Sequence, residues 1–226
     1  MTLHLSRLRL HPRDPLVARD LGDAVELHRT VMRAFPQHDG ADPRTAFGVL
    51  FRVESALRPP PGRGGETPEL LVQSMVAPDW TQLPVGYVLD AAVRSADALL
   101  DGIAENRRLR FRLLGNATRK TAAVRPGEEP RRHSRRVPLD TDEERRSWID
   151  RRAERAGFTV VGDVSDLRID ALPPWRQRRD NGVTVRPVLY EGRLEVRDPV
   201  AFRDALRSGI GPAKAYGCGL LSVAPA

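Results

Sequence analysis

Leu3 to Leu10 reads L-H-L-S-R-L-R-L, apolar and polar residues alternating except at Ser6-Arg7. A two-residue period puts alternate side chains on opposite faces of an extended chain, so the stretch predicts a strand with one buried face. That opening strand restricts what can follow. A turn region, His11 to Pro15, comes next, and Asp23 opens a helix that runs to Phe35, with Pro36 marking its end. Phe47 to Glu54 (FGVLFRVE) predicts a second strand, Pro59 to Pro68 (PPPGRGGETP) a flexible loop, and Leu70 to Ser74 a third strand. Val85 to Leu89 supplies a fourth. The second helix of this half is weakly marked and falls around Thr81 or over Ala91 to Leu100. Strand, helix, strand, strand and a further strand is the order of a ferredoxin-like βαββαβ unit.

The same order begins again near Asn106. Arg107 to Gly115 (RRLRFRLLG) predicts a strand, and Arg125 to Arg136 a polar, charged loop. Asp140 is the expected N-cap of a helix over Thr141 to Ala156, with acidic residues in its first turn and Gly157 just past its end. Phe158 to Val164 and Val183 to Leu189 read as strands. Tyr190-Glu191-Gly192 reads as a turn into Arg193 to Val196. Asp198-Pro199 opens a helix to about Arg207, and Leu220 to Val223 forms a last strand. The expectation is an α+β chain of two tandem ferredoxin-like, RRM-like domains, residues 1–95 and 106–226.

Composition narrows the setting. With 40% hydrophobic residues the 226-residue chain can bury a core. One cysteine, Cys218, excludes an internal disulfide framework and any multi-cysteine metal site. No apolar run reaches the ~18 residues of a membrane helix, and the N-terminus lacks an apolar block of signal-peptide length, so a cytoplasmic setting is expected. Aromatics at 5% argue against binding built mainly on stacked rings. Lys+Arg 37 against Asp+Glu 30 gives +7, and only Lys120 and Lys214 are lysines, which leaves 35 arginines. Arginine is the planar, bidentate partner of phosphate, so the bias is compatible with a nucleic-acid partner and equally with an arginine-rich solvated surface.

The stretch Gly209-Ile-Gly-Pro-Ala-Lys-Ala-Tyr-Gly-Cys-Gly-Leu-Leu-Ser-Val carries Gly209, Gly211, Gly217, Gly219 and Lys214 within eleven residues. Glycines let backbone approach an anion closely, and successive N–H groups can form an anion nest. The stretch lacks the G-K-[ST] ending of a nucleotide-triphosphate loop, and it follows a helix and precedes a strand, the wrong order for a dinucleotide fingerprint. On local grounds it remains either an anion site or a loop that turns the chain into its last strand.

The segment resembles the C-terminal signature of the CasE family, the repeat-RNA endoribonucleases of type I-E CRISPR systems, G-x-G-P-x-K-x-x-G-x-G-L-L-S-x-x-P. It matches at Gly209, Gly211, Pro212, Lys214, Gly217, Gly219, Leu220, Leu221, Ser222 and Pro225. Further stretches fall in the family's order: Leu27-His28-Arg29 with Phe35-Pro36, Leu71-Val72-Gln73-Ser74, Phe111-Arg112-Leu113 with Asn116 and Lys120-Thr121, and Val188 to Leu194 (VLYEGRL). The resemblance spans nearly the whole chain and implies two ferredoxin-like domains.

What the resemblance implies about chemistry centres on His28, which stands where the family has its catalytic histidine. On a helical wheel Leu27, Val31 and Phe35 form an apolar stripe and His28 lies ~100° from Leu27, at its edge. The expected reaction is metal-free: the neighbouring 2′-OH of RNA attacks phosphorus, leaving a 2′,3′-cyclic phosphate and a 5′-OH, with an imidazole as acid or base. Some members carry a tyrosine three residues before the histidine; here that residue is Val25. Arg33, ~140° around the helix from His28, and Lys214 are the expected stabilisers of transition-state charge. The other histidines, His4, His11, His38 and His133, have no metal-ligand spacing, so no metal and no cofactor is expected.

RNA contacts are expected from Arg29, Arg112, Asn116, Lys120 and the glycines of the C-terminal segment. Trp175 to Gly182 contains Arg176, Arg178 and Arg179 and ends on an Asn-Gly turn signal, which predicts a basic hairpin. By resemblance it grips the stem-loop of the repeat. Arg107, Arg108, Arg110 and Arg112 lie on the strand opening the second half, some of them expected to face a groove between domains. Arg131, Arg132, Arg135 and Arg136 form a third basic cluster. Stacking aromatics of the RRM type are missing, which disfavours general single-strand binding. The implied partners are the repeat hairpin of precursor CRISPR RNA and the other Cascade subunits, with no membrane. A catalytically silent RNA-binding subunit, flagged by Val25, and an unrelated basic scaffold are the alternatives.

Overall fold

In the computed structural model residues 2–40, 42–54, 67–120, 136–162, 166–176 and 184–226 are described. The first half runs β1 (His4–Leu10), α1 (Pro15–Gly22), α2 (Ala24–Met32), the one-turn α3 (Pro43–Ala46), β2 (Leu50–Val53), β3 (Glu69–Ser74), a 3₁₀ turn at Trp80–Gln82 and β4 (Val88–Ser95). Its strands are ordered β2-β3-β1-β4 and all neighbours are antiparallel. Ser6, Leu8 and Leu10 point inward, as the period of two requires, and Leu8 and Leu10 pack with Val17, Leu27, Val31 and Phe51 under α1 and α2.

After α4 (Asp97–Asp101) the second half runs β5 (Arg108–Gly115), β6 (Thr118–Lys120), β7 (Arg136–Pro138), α5 (Asp142–Arg155), β8 (Phe158–Val161), β9 (Arg168–Ala171), β10 (Trp175–Arg176), β11 (Thr184–Val185), β12 (Val188–Val196), α6 (Pro199–Ser208) and β13 (Leu221–Pro225). The main sheet is ordered β13-β5-β12-β8, with β9 on the same edge of β12. Leu109, Phe111 and Leu113 meet Trp148 and Ile149 of α5 and Phe202 of α6 in its core. Each half therefore lays its first strand beside its last and third, the arrangement of the ferredoxin-like fold. Among the described residues no helix is long and apolar enough to cross a membrane.

Several expectations need correction. An unexpected helix precedes the expected one: Asp14 caps α1 through Leu16 N and Val17 N, with Pro15 at the first helical position, and Asp23 breaks the chain (φ −143°, ψ 105°) before capping α2. The helix ends at Met32 rather than Phe35. Ala91 to Ser95 is not helical but the second part of β4, held by pairing with β1 (Ser6 opposite Val93, Leu8 opposite Ala91); partner hydrogen bonds override the helix preference of the alanines. The strand expected over Val85 to Leu89 accordingly begins at Val88, and only Asp97–Asp101 is helical. The cap of α5 is Thr141, not Asp140, because Thr141 and Glu144 form a reciprocal capping box. Tyr190-Glu191-Gly192 is no turn, and Val188 to Val196 is one strand. Its outer edge pairs with β9 through Glu191 and with β8 from Arg193, so Gly192 marks the change of partner. A Cβ there would stand 3.1 Å from Asp166 O and 3.2 Å from Leu167 Cδ1, a tight approach that favours glycine.

The halves are joined by polar anchors. Arg52 of β2, 1% exposed, donates to Leu220 O (3.0 Å), Arg112 O (3.3 Å) and Ser222 Oγ (2.9 Å) in the second half, and through Nε to Glu54 (2.7 Å). Glu54 also accepts from Arg112 (2.8 Å), and Arg112 in turn donates to Glu191 (2.5 Å). Gln73 of β3 donates to Leu206 O at 2.7 Å.

Candidate active site

Leu27 and Val31 of α2 face the core, and His28, next along the helix, lies half-buried at the boundary. Its ring stacks on Phe51 of β2 with centroids 6.3 Å apart and planes 24° off parallel. Its Nδ1 is buried and has no hydrogen-bond partner among the described residues. Burial foremost, and then the Arg44 and Arg29 charges, push its pKa below the ordinary 6.5, with Asp42 opposing. The imidazole is thus held neutral near pH 7, able to take up a proton.

Against α2 packs a 3₁₀ turn, Lys214–Tyr216, from the middle of the glycine-rich segment. Gly217 ends it with φ +82°, and a Cβ there would come within 3.2 Å of the same Phe51 ring that lies under His28. At Gly209 (φ +76°) a Cβ would meet Leu50 Cδ1 at 2.8 Å. These glycines let the segment lie flat against β2, so residues near positions 28 and 217 share one wall. Lys214 donates from Nζ to Ser208 O at 2.7 Å; burial, then Arg44 and Arg152, lower its pKa. Arg44 of α3 thus acts electrostatically on both His28 and Lys214, while its own guanidinium pairs with Asp42 at 3.7 Å.

The other expected residues are distributed unevenly. Arg33 caps the C-terminus of α2 and is exposed. Arg29 is exposed and paired with Glu26 one turn back. Arg112 belongs to the inter-half anchor, bound by Glu54 and Glu191, on the groove side of β5 together with Arg110; Arg108 pairs with Glu195. Asn116 is 7% exposed, with Oδ1 lacking a partner among the described residues. Lys120 is exposed at the end of β6. Trp175 and Arg176 pair with Val185 and Thr184, the foot of the expected hairpin; Arg178, Arg179 and the Asn-Gly turn lie outside the described residues, as do Arg131, Arg132 and Arg135. Among the described residues no three His, Cys, Asp or Glu side chains gather as a metal-ligand set.

Reading the sequence did not single out Phe51 or Arg44. Phe51 is an inward position of a strand and gives no local signal. Arg44 sits in a one-turn helix whose proximity to residue 28 exists only in three dimensions.

Comparison with known proteins shows the family. The family described as CRISPR associated protein matches residues 3–225. The CRISPR-associated endoribonuclease Cse3 of Thermus thermophilus is 35% identical over 232 residues, covering 98% of this chain and 99% of the relative. The Cascade subunit CasE of Escherichia coli K12 is 29% identical over 208 residues, covering 90% and 92%. The structure of the Thermus Cse3 bound to an RNA representing a pre-cleavage complex superposes with a TM-score of 0.78 at 34% identity and full coverage of both chains. That of Cas6e from Escherichia coli gives 0.67 at 25%, covering 99% and 100%. The chain therefore belongs to the family of CRISPR associated proteins, as a type I-E CasE member.

Proposed function

We propose that this protein is a metal-independent endoribonuclease that cuts precursor CRISPR RNA within each repeat, at the 3′ base of the hairpin, and stays on the product as a cytoplasmic subunit of Cascade. The observation that carries the reading is the packing of the His28 helix on the glycine-rich turn. The relatives named as an endoribonuclease and as a Cascade subunit, and the RNA-bound Cse3, support it. Two units, residues 1–95 and 106–226, provide the walls.

The chemistry follows from a neutral imidazole at a half-buried boundary. His28 accepts the proton of the ribose 2′-OH as its oxygen bonds to phosphorus. The P–O5′ bond breaks, the departing oxygen takes a proton from water, and the imidazolium gives its own back to water. Products are a 2′,3′-cyclic phosphate and a 5′-OH, and apart from proton exchange with water the balance needs no other reactant. Lys214 and Arg33 offset the added negative charge on phosphorus. Arg29, Asn116, Lys120 and the arginines from 176 to 179 hold the RNA. Val25, where some members have a tyrosine, supports a second reading: a subunit that binds the repeat without cutting it.

A single assay separates them. The protein is incubated in EDTA with a hairpin repeat RNA and with the same RNA carrying 2′-deoxyribose 5′ of the cut. Cleavage of the first only is the expected result. Binding without cleavage of either supports the silent subunit, and equal indifference to hairpin and unrelated RNA removes both readings.

A further inference from the structure

Beside the His28 helix lies a hollow of ≈ 500 Å³ that the cleavage chemistry does not use. Ala24 and Leu27 of α2, Phe51 and Val53 of β2, and Tyr216 and Trp175 form its walls. The cavity is mostly apolar, yet its two half-buried aromatics carry unused polar tips. Of the three tyrosines, Tyr87 donates to Asp20 (2.8 Å) and Tyr190 to Arg145 O (3.2 Å). The Tyr216 hydroxyl has no hydrogen-bond partner among the described residues, and neither has the Trp175 indole N–H. Asp20 also borders the hollow, but its carboxylate is held by Tyr87 and Arg19.

We infer that this hollow receives one unpaired nucleobase of the RNA, the base next to the cleaved phosphate. The inference rests on the reading above and adds its recognition element. Position argues for it: Leu27 adjoins His28, Ala24 is one turn before it, and Tyr216 is two residues past Lys214, so a nucleotide whose phosphate meets His28 brings its base to these walls. Chemistry argues for the same occupant. A flat heteroaromatic ring offers faces to the aromatics and apolar side chains, and a polar edge to the indole N–H and the phenol. An aliphatic protein side chain would leave both donors unsatisfied. The base must be out of a duplex to enter, which happens where the stem ends.

The test uses the full chain and a hairpin RNA made uncleavable by 2′-deoxyribose, with 2-aminopurine in turn at the nucleotide on each side of the cut phosphate. Binding is followed separately by anisotropy of a label on the loop. Stacking in the hollow quenches one of the two 2-aminopurines on binding. Tyr216→Leu or Trp175→Leu abolishes that quenching and slows single-turnover cleavage of the normal RNA about tenfold, within the range for losing one base–aromatic stack. Removing that base from the RNA reproduces the slowing with the unmodified protein, so the answer does not depend on the variants folding. A hairpin that binds with neither position quenched, or whose cleavage ignores the missing base, overturns the inference and leaves the nuclease intact. Failure to bind the hairpin at all overturns the nuclease reading, and the inference falls with it.

Discussion

Replacing Arg52 by methionine tests what holds the two halves in register. The substitution keeps an unbranched stem of similar course and removes the guanidinium. Four hydrogen bonds disappear, those to Leu220 O, Arg112 O, Ser222 Oγ and Glu54. Glu54 retains Arg112 at 2.8 Å, so no carboxylate is left buried and alone. The Ser222 hydroxyl can rotate, but Leu220 is 1% exposed and its carbonyl loses the guanidinium that it accepts from. Burial lowers the Arg52 pKa despite Glu54, so the charge itself is not the main gain; the satisfied acceptors are. One orphaned buried acceptor costs about 1–3 kcal/mol, and breaking a buried charged contact from one side about 3–5 kcal/mol. With Glu54 still partnered, ~3 kcal/mol is the expected loss, a fall in Tm of about 6–12 °C for a chain of this length. Urea unfolding monitored by tryptophan fluorescence measures it. Cleavage well below the new transition should also slow, because Phe51, the ring under His28, is the neighbouring residue in β2. A loss under about 1 kcal/mol with an unchanged rate would refute the assignment of Arg52 as the anchor.

The remaining predictions concern the site. His28→Ala keeps hairpin affinity and lowers the single-turnover rate at least ~10²-fold; an unchanged rate removes His28 from the mechanism. By NMR, His28 titrates below 6.5 in the free protein, and the acid limb of the cleavage rate has its inflection there too. The folded pKa is the depressed one, so the unfolded chain binds this proton first as pH falls. The stability His28 contributes is present above pH 6.5 and is lost between there and its folded pKa; His28→Gln lacks that loss, and urea titrations at pH 7 and pH 5.5 compare the two. Gly217→Ala, at φ +82° and against Phe51, costs about 1–2 kcal/mol of left-handed strain and reduces cleavage more than hairpin binding. Changing Arg176, Arg178 and Arg179 together to alanine weakens binding and flattens its dependence on log salt; an unaltered slope means that they do not touch phosphate.

The strands and the fold class were legible in the sequence wherever a period of two met a buried face, as at Leu3 to Leu10 and Arg107 to Gly115. It misled where local preference and tertiary pairing disagree. Alanines at 91 and 92 favour a helix, but β1 offers them a ladder. Gly192 resembles a turn residue and is a strand residue beneath Leu167. Of the candidate site, His28 and the glycine segment were legible through resemblance, while their adjacency was not, because nearly 190 residues separate them. Arg112 shows a different limit: its ion pairs with Glu54 and Glu191 join partners far apart in the chain, which a strand arginine does not announce.

The docking of α2 on the Lys214–Tyr216 turn also has a consequence for synthesis. On the ribosome the first sheet can form long before Gly209 has left the exit tunnel, but the wall around the imidazole cannot. A nascent chain stalled before that point carries His28 on a helix whose far side is open to water, with no Lys214 and no Tyr216 beside it.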